Sequence, residues 1–175
     1  MNRNIRKYIV FSIVVLMLSA CNFFEVPDNG PIIKGVQVEN IDFTKDDYDA
    51  LQQIFTLKNP IMKELVYSYE KLSEEVLLIG SQAELQKLCP DSVQVPVIDF
   101  EHHCFIFALV ATPSTQSEVR KVELYLQDTG EATLYTEILS TSMDGKVGLA
   151  MPYAVFNLHA DRIKNLKILS KNRFY

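Results

Sequence analysis

The sequence predicts an α+β fold: a single domain with a curved antiparallel β-sheet, sandwich-like or partly closed, and one or two short helices packed on it. Three observations predict this class. Apolar residues recur at helical spacing between Tyr48 and Phe55, a long apolar segment spans Val95 to Ala111, and short alternating segments separated by turn residues follow from Val119. We assign residues 32–175 to this domain, a length that suits one domain with a sizeable core.

The first predicted elements are a short strand at Ile32–Val38 and a helix that begins after Thr44. Thr44 can cap this helix, and the acidic residues directly after it are stabilised by the positive end of the helix dipole. Residues between Tyr48 and Phe55 form its apolar face, and Pro60 marks its end.

A second strand and a second helix follow. Glu75–Ile79 is apolar and predicts a strand, and Ser81 stands three residues before Glu84, the spacing of a capping box that opens a short helix. Ser81 also sits at a strand-to-helix turn, the position of the nucleophile in a nucleophile elbow. Because the flanking glycines of that elbow are missing, capping is the favoured interpretation.

The segment Val95–Ala111 predicts the central strand of the sheet. Apolar residues occupy both faces from Phe100 onward, which is typical of a strand covered on both sides. One predicted face carries His102, Cys104, Ile106, Ala108 and Val110, and the other carries Phe105, Phe107 and Leu109.

The remaining chain predicts strands linked by hairpins. Asp128-Thr129-Gly130 and Asp144-Gly145 are turn signals, and Pro152 marks an edge or a bulge. Ser170–Tyr175 is expected to fray. The predicted strands are Val119–Gln127, Glu131–Leu139, Gly148–Met151, Tyr153–Leu158 and Leu166–Leu169.

Residues 1–20 have the build of a secretory signal peptide. A basic start is followed by the apolar segment Tyr8–Leu18 and by small residues before Cys21. The apolar segment has about a dozen residues, whereas a membrane-spanning helix needs roughly 20. An ordinary cleaved signal and a short membrane helix are the two alternatives.

The motif Leu18-Ser19-Ala20-Cys21 resembles the lipobox of bacterial lipoproteins. The resemblance implies that Cys21 is the first mature residue and carries acyl chains, and two or more chains suffice for stable anchoring. Residues 21–31 would then form a tether between the lipid and the domain. Asn22 after the cysteine favours the outer membrane over the outer leaflet of the inner membrane, by analogy with lipoprotein sorting.

The charge of the chain argues against nucleic acid as a partner. The net charge is −5 and becomes about −8 once Arg3, Arg6 and Lys7 are removed with the signal. The sequence contains no basic run, so neither nucleic acid nor an anionic lipid surface is an expected ligand. Membrane attachment is therefore expected through Cys21, with the domain in the periplasm or at the cell surface.

Three short motifs resemble the C-terminal domain of the PrcB family of protease-complex subunits. They are the capped helix start at Ser81–Leu85, the strand entry at Val97–Phe100 and the segment Met151–Tyr153, and together they lie within residues 77–159. The resemblance implies a small, lipid-anchored protein that associates with and stabilises an envelope protease. The family's Thr-Gly-Gly-Tyr segment has no counterpart, because Pro113–Ser117 contains no glycine.

Cys89 and Cys104 remain after lipidation of Cys21, and an exported domain permits a disulfide between them. The enclosed loop of about 15 residues would contribute roughly 3 kcal/mol in the chain-entropy model. The alternative is two buried thiols that act as small apolar side chains.

The segment Glu101–Cys104 is the part of the chain richest in potential metal ligands. His102 and Cys104 share a face of the predicted strand, and His159 could complete a zinc site from a distant segment. The alternative is one partly buried and one exposed histidine without a metal. Asp99 and Glu101 could pair as acids, although a solvated strand entry is the commoner situation. We expect no cofactor and no catalytic residue.

Three functions are compatible with these residues. The favoured one is a non-enzymatic module that binds another envelope protein, with a lipid anchor at Cys21. The second is a carrier of a small or hydrophobic ligand, with a pocket between the sheet and the helix at Tyr48–Phe55. The third is a metal-dependent hydrolase built on His102, Cys104 and His159.

Overall fold

The described strands form two four-stranded sheets. The computed structural model describes residues 31–42, 45–55, 75–89, 95–141 and 147–174. The strands are β1 (Val36–Val38), β2 (Glu75–Ile79), β3 (Cys104–Thr112), β4 (Ser117–Leu126), β5 (Glu131–Ser140), β6 (Gly148–Ala150), β7 (Tyr153–Phe156) and β8 (Asn165–Phe174). The helices within the described residues are α1 (Lys45–Ile54), α2 (Gln82–Lys87) and a 3-10 turn at Ala160–Arg162.

The first sheet has the strand order β1-β4-β5-β8, and in the second β3 lies between β2 on one side and β6 and β7 on the other. The named strands pair antiparallel apart from β5 and β8, which run parallel over ten residue pairs. The α+β prediction is confirmed, in its sandwich-like form with short helices packed on one sheet. The described residues from Ile33 onward belong to one compact unit.

The chain joins the two sheets along one side. After β1 pairs with β4, the Ile41 amide donates to the Val155 carbonyl and the Asn157 amide donates to the Glu39 carbonyl, so the same segment borders β7 of the second sheet. Within the described residues, β8 ends the first sheet on the opposite side.

β3 separates two apolar cores because its side chains alternate between its faces. Cys104, Ile106 and Ala108 belong to the core between the sheets, with residues of β4, β5 and β7. Phe105, Phe107 and Leu109 belong to the core beneath the helices. The predicted central strand, covered on both faces, is confirmed from Cys104 onward.

The helices cover the outer face of the second sheet. Leu51 and Ile54 of α1 and Leu85 of α2 are fully buried there. Phe55, directly after α1, stacks on Phe107 with ring centroids 4.6 Å apart. These side chains occupy the space between the sheet and the first helix, where the carrier hypothesis expected a ligand pocket. Neither described helix combines the length and the apolar composition that a bilayer-crossing helix needs.

Three strand boundaries differ from the sequence prediction by more than two residues. β1 begins at Val36, whereas the first strand was expected from Ile32. Residues 100–102 form a turn, because the amides of His102 and His103 both donate to the Asp99 carbonyl, and β3 begins only at Cys104. β8 continues to Phe174, because its pairing with β5 orders the segment that was expected to fray. The first helix was expected to continue to Pro60, but α1 ends at Ile54. The Thr44 cap, Pro60 and the turn at Asp144-Gly145 lie outside the described residues, as do Cys21 and the signal peptide.

Candidate functional site

The turn before β3 collects three potential metal ligands. Asp99, Glu101 and His102 each offer one ligand atom, and these atoms lie within 4.8 Å of one another. His102 Nδ1 donates to Asp99 Oδ2 across 2.8 Å, and the Glu101 amide donates to Asp99 Oδ1 across 3.1 Å. The hydrogen bond from His102 is the main reason why the pKa of Asp99 lies below its usual value.

This cluster is fully explained as a turn. All three side chains are exposed, and the carboxylate of Asp99 already accepts a ring N–H and a backbone amide. An Asp that bonds the amide two residues later stabilises a turn without any ion. A cation could be held here by two carboxylates and one imidazole, but in water such exposed ligands gain little over their solvated state.

The predicted zinc ligands do not come together in the structure. Cys104 is 0% exposed in the core between the sheets, and burial raises the pKa of its thiol to about 12. His102 projects from the exposed turn, and His159 caps the 3-10 turn at Ala160–Arg162. The zinc candidate required His102 and Cys104 to lie on the same face of one strand. Because residues 100–102 form a turn and β3 begins at Cys104, the two side chains do not share a strand face.

A second group lies in an open groove of about 600 Å³ between β2, α2 and the 3-10 turn. Ser81, His159 and Asp161 line it, which are the residue types of a serine hydrolase triad. Ser81 Oγ accepts from the Glu84 amide across 3.3 Å, as the capping interpretation predicts. Glu84 in turn accepts from the Gly80 amide across 2.9 Å.

The hydrogen bonds of this groove differ from those of a triad. His159 Nδ1 accepts from the Asp161 backbone amide across 3.3 Å and lies 3.6 Å from the Asp161 carboxylate. An Nδ1 that accepts a hydrogen bond carries no hydrogen, so the hydrogen of the neutral ring lies on Nε2, which then cannot take the proton of a serine hydroxyl. The residues of this groove therefore act as caps, Ser81 for the helix α2 and His159 for the 3-10 turn.

Cys89 and Cys104 are not bridged in the structure, and both are the free, buried thiols of the alternative interpretation. Cys89 packs in the core beneath the helices and donates to the Leu85 carbonyl across 3.2 Å, whereas Cys104 faces the core between the sheets. β3 stands between the two side chains, so they face away from each other. Burial raises the pKa of Cys89 to about 11, which leaves it unreactive as a thiolate at neutral pH.

The outer face of the first sheet carries a hydrogen-bonded group centred on Glu123. Lys121 lies 2.9 Å from one of its oxygens, and Gln37 donates to the same oxygen across 3.1 Å. The Tyr125 hydroxyl donates to the other oxygen across 3.0 Å. The group joins β1 to β4 and fixes the orientation of these long side chains.

The outer surface of β8 is the feature that sequence analysis missed. It presents Lys167, Leu169, Lys171 and Arg173 in alternation, and Leu169 is 37% exposed. Arg173 lies 3.3 Å from Glu137 of β5. The segment from Ser170 onward is polar and charged, so its composition did not predict a strand. The sequence signal that could have identified β8 is the two-residue repeat of long side chains from Lys167 to Arg173.

Compared with family models, with curated proteins and with solved structures, the chain shows no match. Its function is therefore inferred from its own residues.

Proposed function

We propose that this chain is a cell-envelope lipoprotein, anchored through Cys21, whose domain binds another envelope protein through the open edge of β8 without catalysing a reaction. The observation that supports this best is the ten-residue length of β8 at the end of the first sheet. A role beside an envelope protease, as implied by the resemblance to the PrcB family, belongs to the same proposal.

An edge strand of this length is a strong attachment site. β8 pairs with β5 along its whole length, and no described strand pairs with its other side. Alternate amides and carbonyls of such a strand point away from the sheet and can pair with an extended segment of another protein. The strand at the other end of the first sheet, β1, has only three residues.

The edge is held rigidly, which favours binding because little conformational entropy is lost on docking. Leu166 and Ile168 pack against the core between the sheets, and Thr136 of β5 donates to Ser170 across 3.1 Å. On the outer face, the hydroxyl of Tyr135 and the guanidinium of Arg173 hold the pKa of Glu137 below its usual value. Both faces of β8 are thus fixed to its neighbour.

Site-specific photocrosslinking in intact cells tests this proposal. A photoreactive amino acid at Leu169 on β8 is expected to give one discrete crosslinked protein in the membrane fraction. The matched control is Val97, which is 90% exposed and precedes Ile98 of the core beneath the helices. Equal crosslinking from Leu169 and Val97, or none from either, would contradict the proposal.

The anchor is tested separately with Cys21→Ser. This variant is expected to lose fatty-acid labelling and to leave the membrane fraction, since a chain with a net charge of −5 is not attracted to anionic lipids once the acyl chains are missing. Retention of both properties would show that the lipobox interpretation is wrong.

A further inference from the structure

The two ends of the first sheet differ in how they relate to the start of the domain. At one end, which we call the entry end, β1 begins, β4 leads into β5 through the hairpin at Gln127–Glu131, and β8 begins beside β5. At the opposite end, which we call the far end, β4 begins and β5 and β8 stop. A strand of ten residues is about 30 Å long, so the two ends are well separated.

The chain enters the domain at the entry end, a short distance after the proposed anchor. Ile33 is the first residue of the compact unit and stands twelve positions after Cys21. A fully extended chain of that length reaches about 40 Å at most. With Cys21 lipidated, the entry end is therefore held near the lipid surface, whereas the far end approaches that surface only if the domain lies down or turns over.

The residues at this entry are fixed in place and exposed. Gly35 has a φ of +114°, and a Cβ atom there would lie 2.7 Å from the Leu126 carbonyl oxygen, so the position suits only glycine. Val36 pairs with Leu126 and is nevertheless 75% exposed. Moving such an apolar side chain from water into a lipid interface is favourable.

Three basic side chains of the entry end have no acidic partner among the described residues. Lys34, Arg162 and Lys164 are exposed, and none of them forms an ion pair with a described carboxylate. Lys164 lies beside the hairpin, because its amide donates to the Gly130 carbonyl across 2.9 Å. Arg162 is next to it, since a Cβ atom at Gly130 would lie 3.2 Å from the Arg162 carbonyl oxygen.

The entry end also carries acidic side chains, so its charge is mixed. Glu131 accepts from the side chain of Gln127 across 3.4 Å, Asp161 lies 3.6 Å from His159, and Asp128 is exposed on the hairpin. A phosphatidylethanolamine headgroup offers a phosphate and an ammonium and therefore suits both signs of charge. Long basic side chains reach further from the backbone than aspartate does, so they are the first to contact the phosphates.

We propose that the domain rests on the membrane with its entry end, with Val36 in the headgroup layer and Lys34, Arg162 and Lys164 against phosphates of phosphatidylethanolamine. This inference rests on the lipid anchor of the proposed function and adds the orientation of the domain. A chain with a net charge of −5 is not held at a membrane by these contacts alone. They select one orientation because the anchor keeps the entry end at a high local concentration of headgroups.

Tryptophan fluorescence measures this orientation, because the chain contains no tryptophan. The full lipidated chain is reconstituted into vesicles of phosphatidylethanolamine and phosphatidylcholine, and Val36→Trp is compared with Val147→Trp. Val147 is 81% exposed, and its neighbour Gly148 packs against the Ser114 carbonyl group just before β4 begins at the far end. A lipid with a spin-labelled headgroup is expected to quench the Val36→Trp variant and to leave the Val147→Trp variant unquenched.

A pair of double variants tests the phosphate contacts. Adding Arg162→Gln/Lys164→Gln to Val36→Trp is expected to reduce the quenching by about half or more, because two charge-assisted contacts are lost. The matched control, Arg120→Gln/Lys121→Gln, also removes one Arg and one Lys, but these two already pair with Glu118 and Glu123. It is expected to leave the quenching almost unchanged, and an equal reduction in both would overturn the proposal.

Acylation and flotation with the vesicles are measured on the same samples and decide the anchor separately. If the chain is acylated and floats, but the Val36→Trp and Val147→Trp variants are quenched equally or not at all, this inference is wrong and the anchor stands. If the chain is neither acylated nor recovered with the vesicles, the anchor of the proposed function is wrong, and this inference fails with it.

Discussion

Replacing Phe55 by alanine is expected to lower the free energy of unfolding by about 3–5 kcal/mol, the usual range for a buried phenylalanine. Phe55 is 4% exposed. Its ring centroid lies 4.6 Å from Phe107, 5.2 Å from Phe105 and 5.1 Å from Tyr153. The loss combines the apolar surface, the cavity left behind and aromatic contacts worth about 0.5–1.5 kcal/mol per pair.

The assay is urea unfolding of the full chain in detergent, followed by far-UV circular dichroism because the chain contains no tryptophan. In a thermal experiment the same loss corresponds to a lower Tm by about 6–20 °C for a domain of this size. Phe174→Ala is the matched control, since that ring is 47% exposed at the end of β8. It is expected to cost less than about 1 kcal/mol.

The comparison decides between a packed interface and a ligand pocket beneath α1. If the two variants lose the same small amount of stability, the stack does not hold α1 on the sheet and the reasoning from ring distances fails. The carrier function would be supported by two results together: an added apolar ligand stabilises the wild-type protein, and Phe55→Ala leaves the free energy of unfolding almost unchanged.

Three further outcomes test the turns and the cores. Gly130→Ala is expected to lose about 1–2 kcal/mol in urea unfolding, because Gly130 has a φ of +87°. Cys89 and Cys104 are expected to resist Ellman's reagent in the native protein and to react in denaturant, and a native disulfide would leave them unreactive in both. The Asp99→Asn variant is expected to be less stable than wild type near neutral pH. A folded-state pKa below the unfolded value gives stability that is present above about pH 4 and is lost on acidification, so the two proteins should converge as Asp99 becomes protonated. Parallel stability curves across the acidic range would rule out a role for the hydrogen bond between Asp99 and His102.

Features that depend on a few neighbouring residues were predictable from the sequence. The cap at Ser81 follows from its spacing to Glu84, and the turn at Gly130 follows from the need for a left-handed residue there. The alternation of β3 was predictable too, because a covered central strand is apolar on both faces.

The entry of β3 could not be predicted in the same way. His102 and Cys104 satisfy a two-residue repeat whether or not the segment is extended, so periodicity did not distinguish a turn from a strand. The deciding interaction is the carbonyl of Asp99, which accepts two amides and closes the turn. The zinc candidate at His102, Cys104 and His159 depended on that strand, so the structure does not bring its ligands together, for the same reason.

β8 shows the limit of local reasoning most clearly, because its order comes from a partner about thirty residues earlier in the sequence. The polar segment after Leu169 contains too few apolar residues to predict a strand, yet pairing with β5 continues through it. The same polar and charged composition suits the end strand of a sheet, because charged side chains on an edge strand oppose its uncontrolled pairing with other chains.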